Sequence, residues 1–140
     1  MAGGPSVFVA NKLLNKSLKG TDFTPPSTFY VALFATPSET HLRGNSLAQA
    51  SELADINAYA RKALAASDIV AAANGQASIN VDISFPAATG SWATAYQAAL
   101  MDALTIGTGN IWYFGPLASA STMQYGDVLK IPAGTFLINL

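Results

Sequence analysis

Apolar residues recur at helical spacing near the start of the chain. Val7, Ala10, Leu14 and Leu18 share one face, while Asn11, Lys12, Asn15, Lys16 and Lys19 are polar. This pattern predicts an amphipathic helix over about 6–19. Pro5-Ser6 supplies its entry and N-cap, and Gly20 its C-terminal stop. Lys16 and Lys19 suit the negative end of the helix dipole.

After Thr24-Pro25-Pro26 the period changes from helical to alternating. Thr28 to Ala35 places Phe29, Val31 and Leu33 on one side and Tyr30, Ala32 and Phe34 on the other. A strand apolar on both faces is covered on both sides. One side is the core; the other is left for the N-terminal helix or a partner. Residues 37–56 then read as a long polar connection, with a short helix within 46–54 signalled by Ser46 and Gln49 in capping-box spacing. A connection of this length in a small domain is functional or disordered.

From Tyr59 onward strand patterning dominates. Ala60 to Val70 predicts a bent strand, and Asn74-Gly75 is a hairpin signal. Ser78 to Phe85 alternates cleanly, with Ile79, Val81, Ile83 and Phe85 inward. Trp92 to Asp102 is an Ala-rich strand, although its composition also allows a helix. After the Gly107–Asn110 turn, Ile111 to Phe114 is a second strand apolar on both faces. Short strands follow at 121–125, 128–131 and 135–140. About eight short strands at turn-marked intervals predict a mainly β chain, a jelly roll or two-sheet β-sandwich with an N-terminal α-helix, as one domain over 1–140.

Charge changes the picture. Charged residues are only 11% of the 140 and the formal net charge is −1, against about 25% charged in typical soluble domains. Mean hydropathy is +0.31. Without a basic patch, nucleic-acid binding is disfavoured. No apolar run approaches the length of a membrane helix, and Val7 to Ala10 is too short for a signal peptide. A charge-poor surface is expected where partners cover it; exposed Ala and Ser give the same composition without a partner. With no cysteine, disulfides and thiolate metal sites are excluded.

The residues offer little chemistry. His41 is the single histidine and lies in the polar connection, so it is expected to be a loop residue rather than a catalytic base. Asp55, Asp68, Asp82, Asp102 and Asp127 are scattered singly, outside any metal-ligand spacing. Gly107-Thr108-Gly109 lacks the Lys-Ser/Thr ending of a phosphate loop. No catalytic, cofactor or metal residue is assigned, and no enzymatic activity is expected. Tyr30, Trp92, Trp112 and Tyr113 fit either a core or a binding face. Strands apolar on both faces leave one aromatic set without a place in a two-layer core, which is the best residue-level hint of an interface.

Several segments, in order, carry a likeness: Asn11-Lys12-Leu13-Leu14, Tyr30 to Phe34, Tyr59-Ala60-Arg61-Lys62, Ile83 to Ala88 before Trp92, Asn110 to Gly115, and Gly126 to Leu129 with Pro132-Ala133-Gly134. Together they resemble a family of small structural proteins of tailed bacteriophages, some labelled tail-fibre proteins and others head decoration or cement proteins. Residues 37–56 are longer, and Trp92–Asp102 more Ala-rich, than that pattern. The resemblance implies a jelly-roll cement protein on the outer surface of an HK97-like head, clamping neighbouring major capsid subunits and self-associating as a homodimer. It would use no cofactor, nucleic acid or membrane. Leu42, Arg43 and Leu47 in the connection, with Trp112 and Tyr113, are then the contact candidates, the connection acting as a reaching arm. The alternative is a tail-fibre or baseplate module that recognises a host-surface glycan.

Overall fold

The chain opens with a two-residue strand, β1 (Gly4–Pro5), and a helix, α1 (Val7–Lys19), in a computed structural model that describes residues 3–140. Gly20 closes α1 in the left-handed region at φ 69°, donating to the Lys16 carbonyl, while Thr21 donates to Asn15. These bonds satisfy carbonyls that the helix end would leave open. Ser6 occupies the N-cap position, but its hydroxyl does not cap the helix. It donates to the Ile111 carbonyl, and the Ser6 N–H donates to the Trp112 carbonyl at 2.9 Å. The residue that begins the helix therefore also fastens it to a distant strand.

That fastening selects a different helix face from the one the periodicity suggests. Val9 is buried at 1% exposure, whereas Val7, Leu14 and Leu18 remain 48%, 54% and 78% exposed. Phe8 packs edge-on against Trp112 with centroids 5.7 Å apart, and this contact rotates Val7, Leu14 and Leu18 outward.

The main sheet is antiparallel throughout. It contains β1, β2 (Thr28–Phe34), β3 (Lys62–Ala65), and two more strands numbered below, β6 (Ala95–Met101) and β7 (Ile111–Ser121), in the order β1-β7-β6-β2-β3. Between β2 and β3 lie the short helices α2 (Thr40–Arg43) and α3 (Leu47–Ala50). The expected bent strand after Ala60 is β3 running into a 3-10 turn at Ala66–Asp68. Two smaller ladders form the second layer: β4 (Gln76–Ser78) with β9 (Leu137–Asn139), and β5 (Ile83–Ser84) with β8 (Lys130–Ile131). Asn74 and Gly75, both at positive φ, make the tight turn into β4, with Ala73 and Gln76 exchanging backbone hydrogen bonds. The segment expected as one strand from Ser78 to Phe85 divides between β4 and β5, yet its alternation holds. Ile79, Ile83 and Phe85 are buried while Asn80, Asp82 and Ser84 are exposed. The chain is thus mainly β, a β-sandwich with an N-terminal helix.

The main sheet is buried on both faces. Val31, Leu33, Leu64 and Leu100 meet Ile79, Ile83, Phe85, Leu129 and Phe136 of the second layer. On the reverse face, Ala32, Phe34, Ala99, Met101, Ile111 and Phe114 pack against Leu42 and Ala50, with Leu47 alongside. The 37–56 connection is therefore a folded cover. It supplies the apolar lining that a both-faces-apolar strand requires, and it explains why the middle strand is Ala-rich: Ala95, Ala98 and Ala99 are at most 1% exposed between the two packed layers.

Candidate interaction surfaces

The five contact candidates do not form one patch. Leu42 is fully buried under the cover and Trp112 is 5% exposed, so neither presents a side chain to a partner. This corrects their assignment as contact residues, and it corrects the reading of 37–56 as a free arm. Trp112 sits among Phe8, Phe23 and Phe29, with centroids 5.4–6.2 Å away, and its indole N–H donates to Asp102 at 3.1 Å. It is the anchor of α1: Leu100 pairs with Tyr113 and Met101 with Ile111, so Trp112 is the extra, bulged residue of β7.

The other three candidates reach the surface. Leu47 is partly buried against the reverse-face core. Arg43, its side chain 49% exposed, pairs with Glu39 at 3.1 Å and lies over the Phe114 ring at 5.0 Å. Tyr113 is partly buried, which pushes its phenol up from the ordinary value. It lines a slot of about 200 Å³ with Leu13, Ala77 and Ile138.

A buried polar network escaped the sequence reading. Arg61 and Glu52 form an ion pair at 2.6 Å with side chains 0% and 5% exposed. Glu52 also accepts from the Tyr59 hydroxyl at 3.0 Å and the Gly107 N–H at 3.0 Å. The Arg61 guanidinium donates to the Ala103 and Thr108 carbonyls at 2.7 and 2.9 Å. The Tyr59 oxygen in turn accepts the Leu33 N–H at 2.9 Å. Burial, followed by the Glu52 charge, drives the Tyr59 phenol far up from its ordinary value. The Tyr-Ala-Arg segment was visible as a motif; its partner was hidden in what reads as a polar loop. The network ties the cover to β2 and to the β6–β7 turn.

Three other carboxylates hold turns. Asp102 accepts from the Asn110 N–H at 2.7 Å, from the Asn110 amide and from Trp112. Burial pushes its carboxyl up, but these hydrogen bonds outweigh burial and hold it below the ordinary value. Asp82 accepts from the Ala133 N–H at 2.8 Å and pairs with Lys130 at 3.0 Å; these contacts hold its carboxyl low as well. Asp127 accepts from the Gln124 N–H at 2.9 Å, fixing a turn whose apex, Tyr125, is 81% exposed. His41 lies partly buried on α2. Among the described residues no three His, Cys, Asp or Glu side chains are grouped as metal ligands, and no helix is long and apolar enough to cross a membrane.

What the surface does offer is apolar. Val7, Leu14 and Leu18 form an exposed stripe on α1, and Tyr125 and Val128 project from the far turn. A cleft of about 170 Å³ opens between the end of β7 and β8–β9, lined by Leu117, Leu129, Ile131 and Phe136 among others.

These features define a β-sandwich in which Asp82, Asp102 and Asp127 brace turns and apolar side chains extend onto the surface. Over residues 4–139 the chain matches the family described as podophage GP4 fiber I protein gp80. It belongs to that family, and with it to the structural proteins of the bacteriophage virion. No curated protein matches it.

Proposed function

We propose that the chain is a non-catalytic cement protein that binds the outside of an HK97-like phage head and clamps neighbouring major capsid subunits, acting as a homodimer. The observation that carries this reading is the exposure of large apolar side chains on several faces, Leu14 and Leu18 on α1, Leu104, and Tyr125 on its turn, each more than half exposed, on a chain with only 15 charged residues, 7 basic and 8 acidic. Separate apolar contacts on a rigid scaffold suit a protein that touches several subunits weakly. Their effective concentration in the assembled shell then supplies the avidity, and binding only the assembled shell stabilises it by linkage. The experiment is the copy number of the protein in purified virions, measured by quantitative mass spectrometry against the major capsid protein. Cementing predicts a ratio of the same order as the capsid subunit. A few copies per particle refutes it.

The family description, with its word fiber, favours a second reading: a fibre or baseplate module that recognises a host-surface glycan. The exposed Tyr125 on its braced turn would be the stacking platform. Glycan-array binding by the isolated chain, lost in Tyr125→Ala, supports this reading; no binding to any glycan removes it.

A further inference from the structure

The second half of β7 departs from the rest of its sheet. Ser121 pairs with Ala95 and Pro116 with Gln97, so Tyr96 alone lies opposite Leu117, Ala118, Ser119 and Ala120. A bulge leaves its extra residues without ladder partners while the strand continues. On the other edge, β1 ends with Gly4 opposite Phe114, and no other described strand pairs with β7. Ala118, Ser119 and Ala120 are exposed.

Beneath this bulge lies the apolar cleft of about 170 Å³, walled by Leu117, Leu129, Ile131 and Phe136. Its one charged lining residue, Lys130, is engaged by Asp82 at 3.0 Å. An apolar cavity of about 150 Å³ holds a benzene ring, so the cleft has room for one large apolar side chain. The two features are adjacent because Leu117 and Ala118 belong to both. Strand addition joins these elements: main-chain hydrogen bonds supply affinity and a side-chain pocket supplies specificity. A charged ligand finds no free counter-charge here, and a compact ligand would leave the bulge backbone unused.

We propose that this cleft receives an extended, uncharged segment of the neighbouring shell subunit, hydrogen-bonded along 117–120 and anchored by one aromatic or aliphatic side chain. This rests on the clamping reading and names the contact by which the clamp grips. The test places a benzophenone-bearing amino acid at Ala118 in virions and maps the photo-crosslinks by mass spectrometry. The expected product joins position 118 to one short segment of the major capsid protein. In parallel, Ala118→Glu, which sets a charge at the cleft mouth, should lower the virion copy number by about tenfold or more. Ala118→Ser should leave it unchanged, with both free proteins unfolding at the wild-type temperature. Crosslinks confined to a second copy of this chain, or full occupancy by Ala118→Glu, overturn the cleft proposal while leaving clamping intact. Absence of the wild-type protein from heads overturns both.

Discussion

Replacing Glu52 with Ala would strand the Arg61 guanidinium, whose side chain is fully buried. In the wild type Glu52 takes two hydrogen bonds from Arg61 at 2.6 and 2.8 Å, plus one each from Tyr59 and Gly107. The variant leaves Arg61 only the Ala103 and Thr108 carbonyls, which carry no neutralising charge. Breaking a buried pair from one side costs about 3–5 kcal/mol, because the remaining ion keeps its desolvation penalty without its partner. That is a large share of the roughly 5–15 kcal/mol by which a domain is stable. Urea unfolding followed by circular dichroism reads this directly. With an m-value near ~2 kcal/mol per M, the midpoint falls by about 1.5–2.5 M. Glu52→Gln, which keeps the shape and loses the charge, should fall between the two. A loss under about 1 kcal/mol for Glu52→Ala, the range of an exposed pair, would refute the reasoning and mean that water reaches Arg61.

Leu42→Ala should destabilise by about 2–5 kcal/mol, the cost of a cavity in a core, whereas Leu18→Lys should stay within about 0.5 kcal/mol because Leu18 is a surface residue and lysine suits the last turn of α1; thermal unfolding of both separates cover from stripe. Gly109→Ala should destabilise the β6–β7 turn, since Gly109 sits at φ +86° and an added Cβ would lie 2.6 Å from the Asp102 carboxylate; the cost of the backbone strain alone is about 1–3 kcal/mol, again read from unfolding midpoints. The folded Asp102 carboxyl is held below its unfolded value near ~3.9, so its contribution is full above that pH and is lost as the pH falls through the folded value. Asp102→Asn should therefore flatten the acid limb of stability against pH, and an unchanged limb would show that the Asn110 and Trp112 bonds carry no linkage.

Much of the strand content was legible because alternation is a local property. Ile79, Ile83 and Phe85 declare their inward face without any knowledge of what they meet, and Asn74-Gly75 declares its turn because few other residues tolerate two positive φ values. The cover over the reverse face was not legible. Leu42, Leu47 and Ala50 are too sparse among polar neighbours to read as a core, and only their placement over Phe34 and Phe114 makes them one. The same limit applies to α1. Its periodicity shows an apolar stripe, but the bonds from Ser6 to Ile111 and Trp112, across more than one hundred residues, decide that this stripe faces outward. Of the candidate contacts, Trp112 and Leu42 misled because an aromatic or a leucine in an unexplained segment looks the same whether it faces a partner or closes a core. The cleft beside β7 depends on where two remote segments end, which no local pattern encodes.

The pairing of Gly4 with Phe114 has a consequence for how the protein is made. β1 and α1 leave the ribosome before the strand that receives them, which is synthesised roughly one hundred residues later. At a translation rate of about 5–20 residues per second, that interval is on the order of 5–20 s. Throughout it Phe8 lacks Trp112, and the sheet cannot be completed at its β1 edge. Closure is thus a late, long-range event, with the large loop-closure cost that slows such topologies. Completion of the fold waits for the arrival of Trp112.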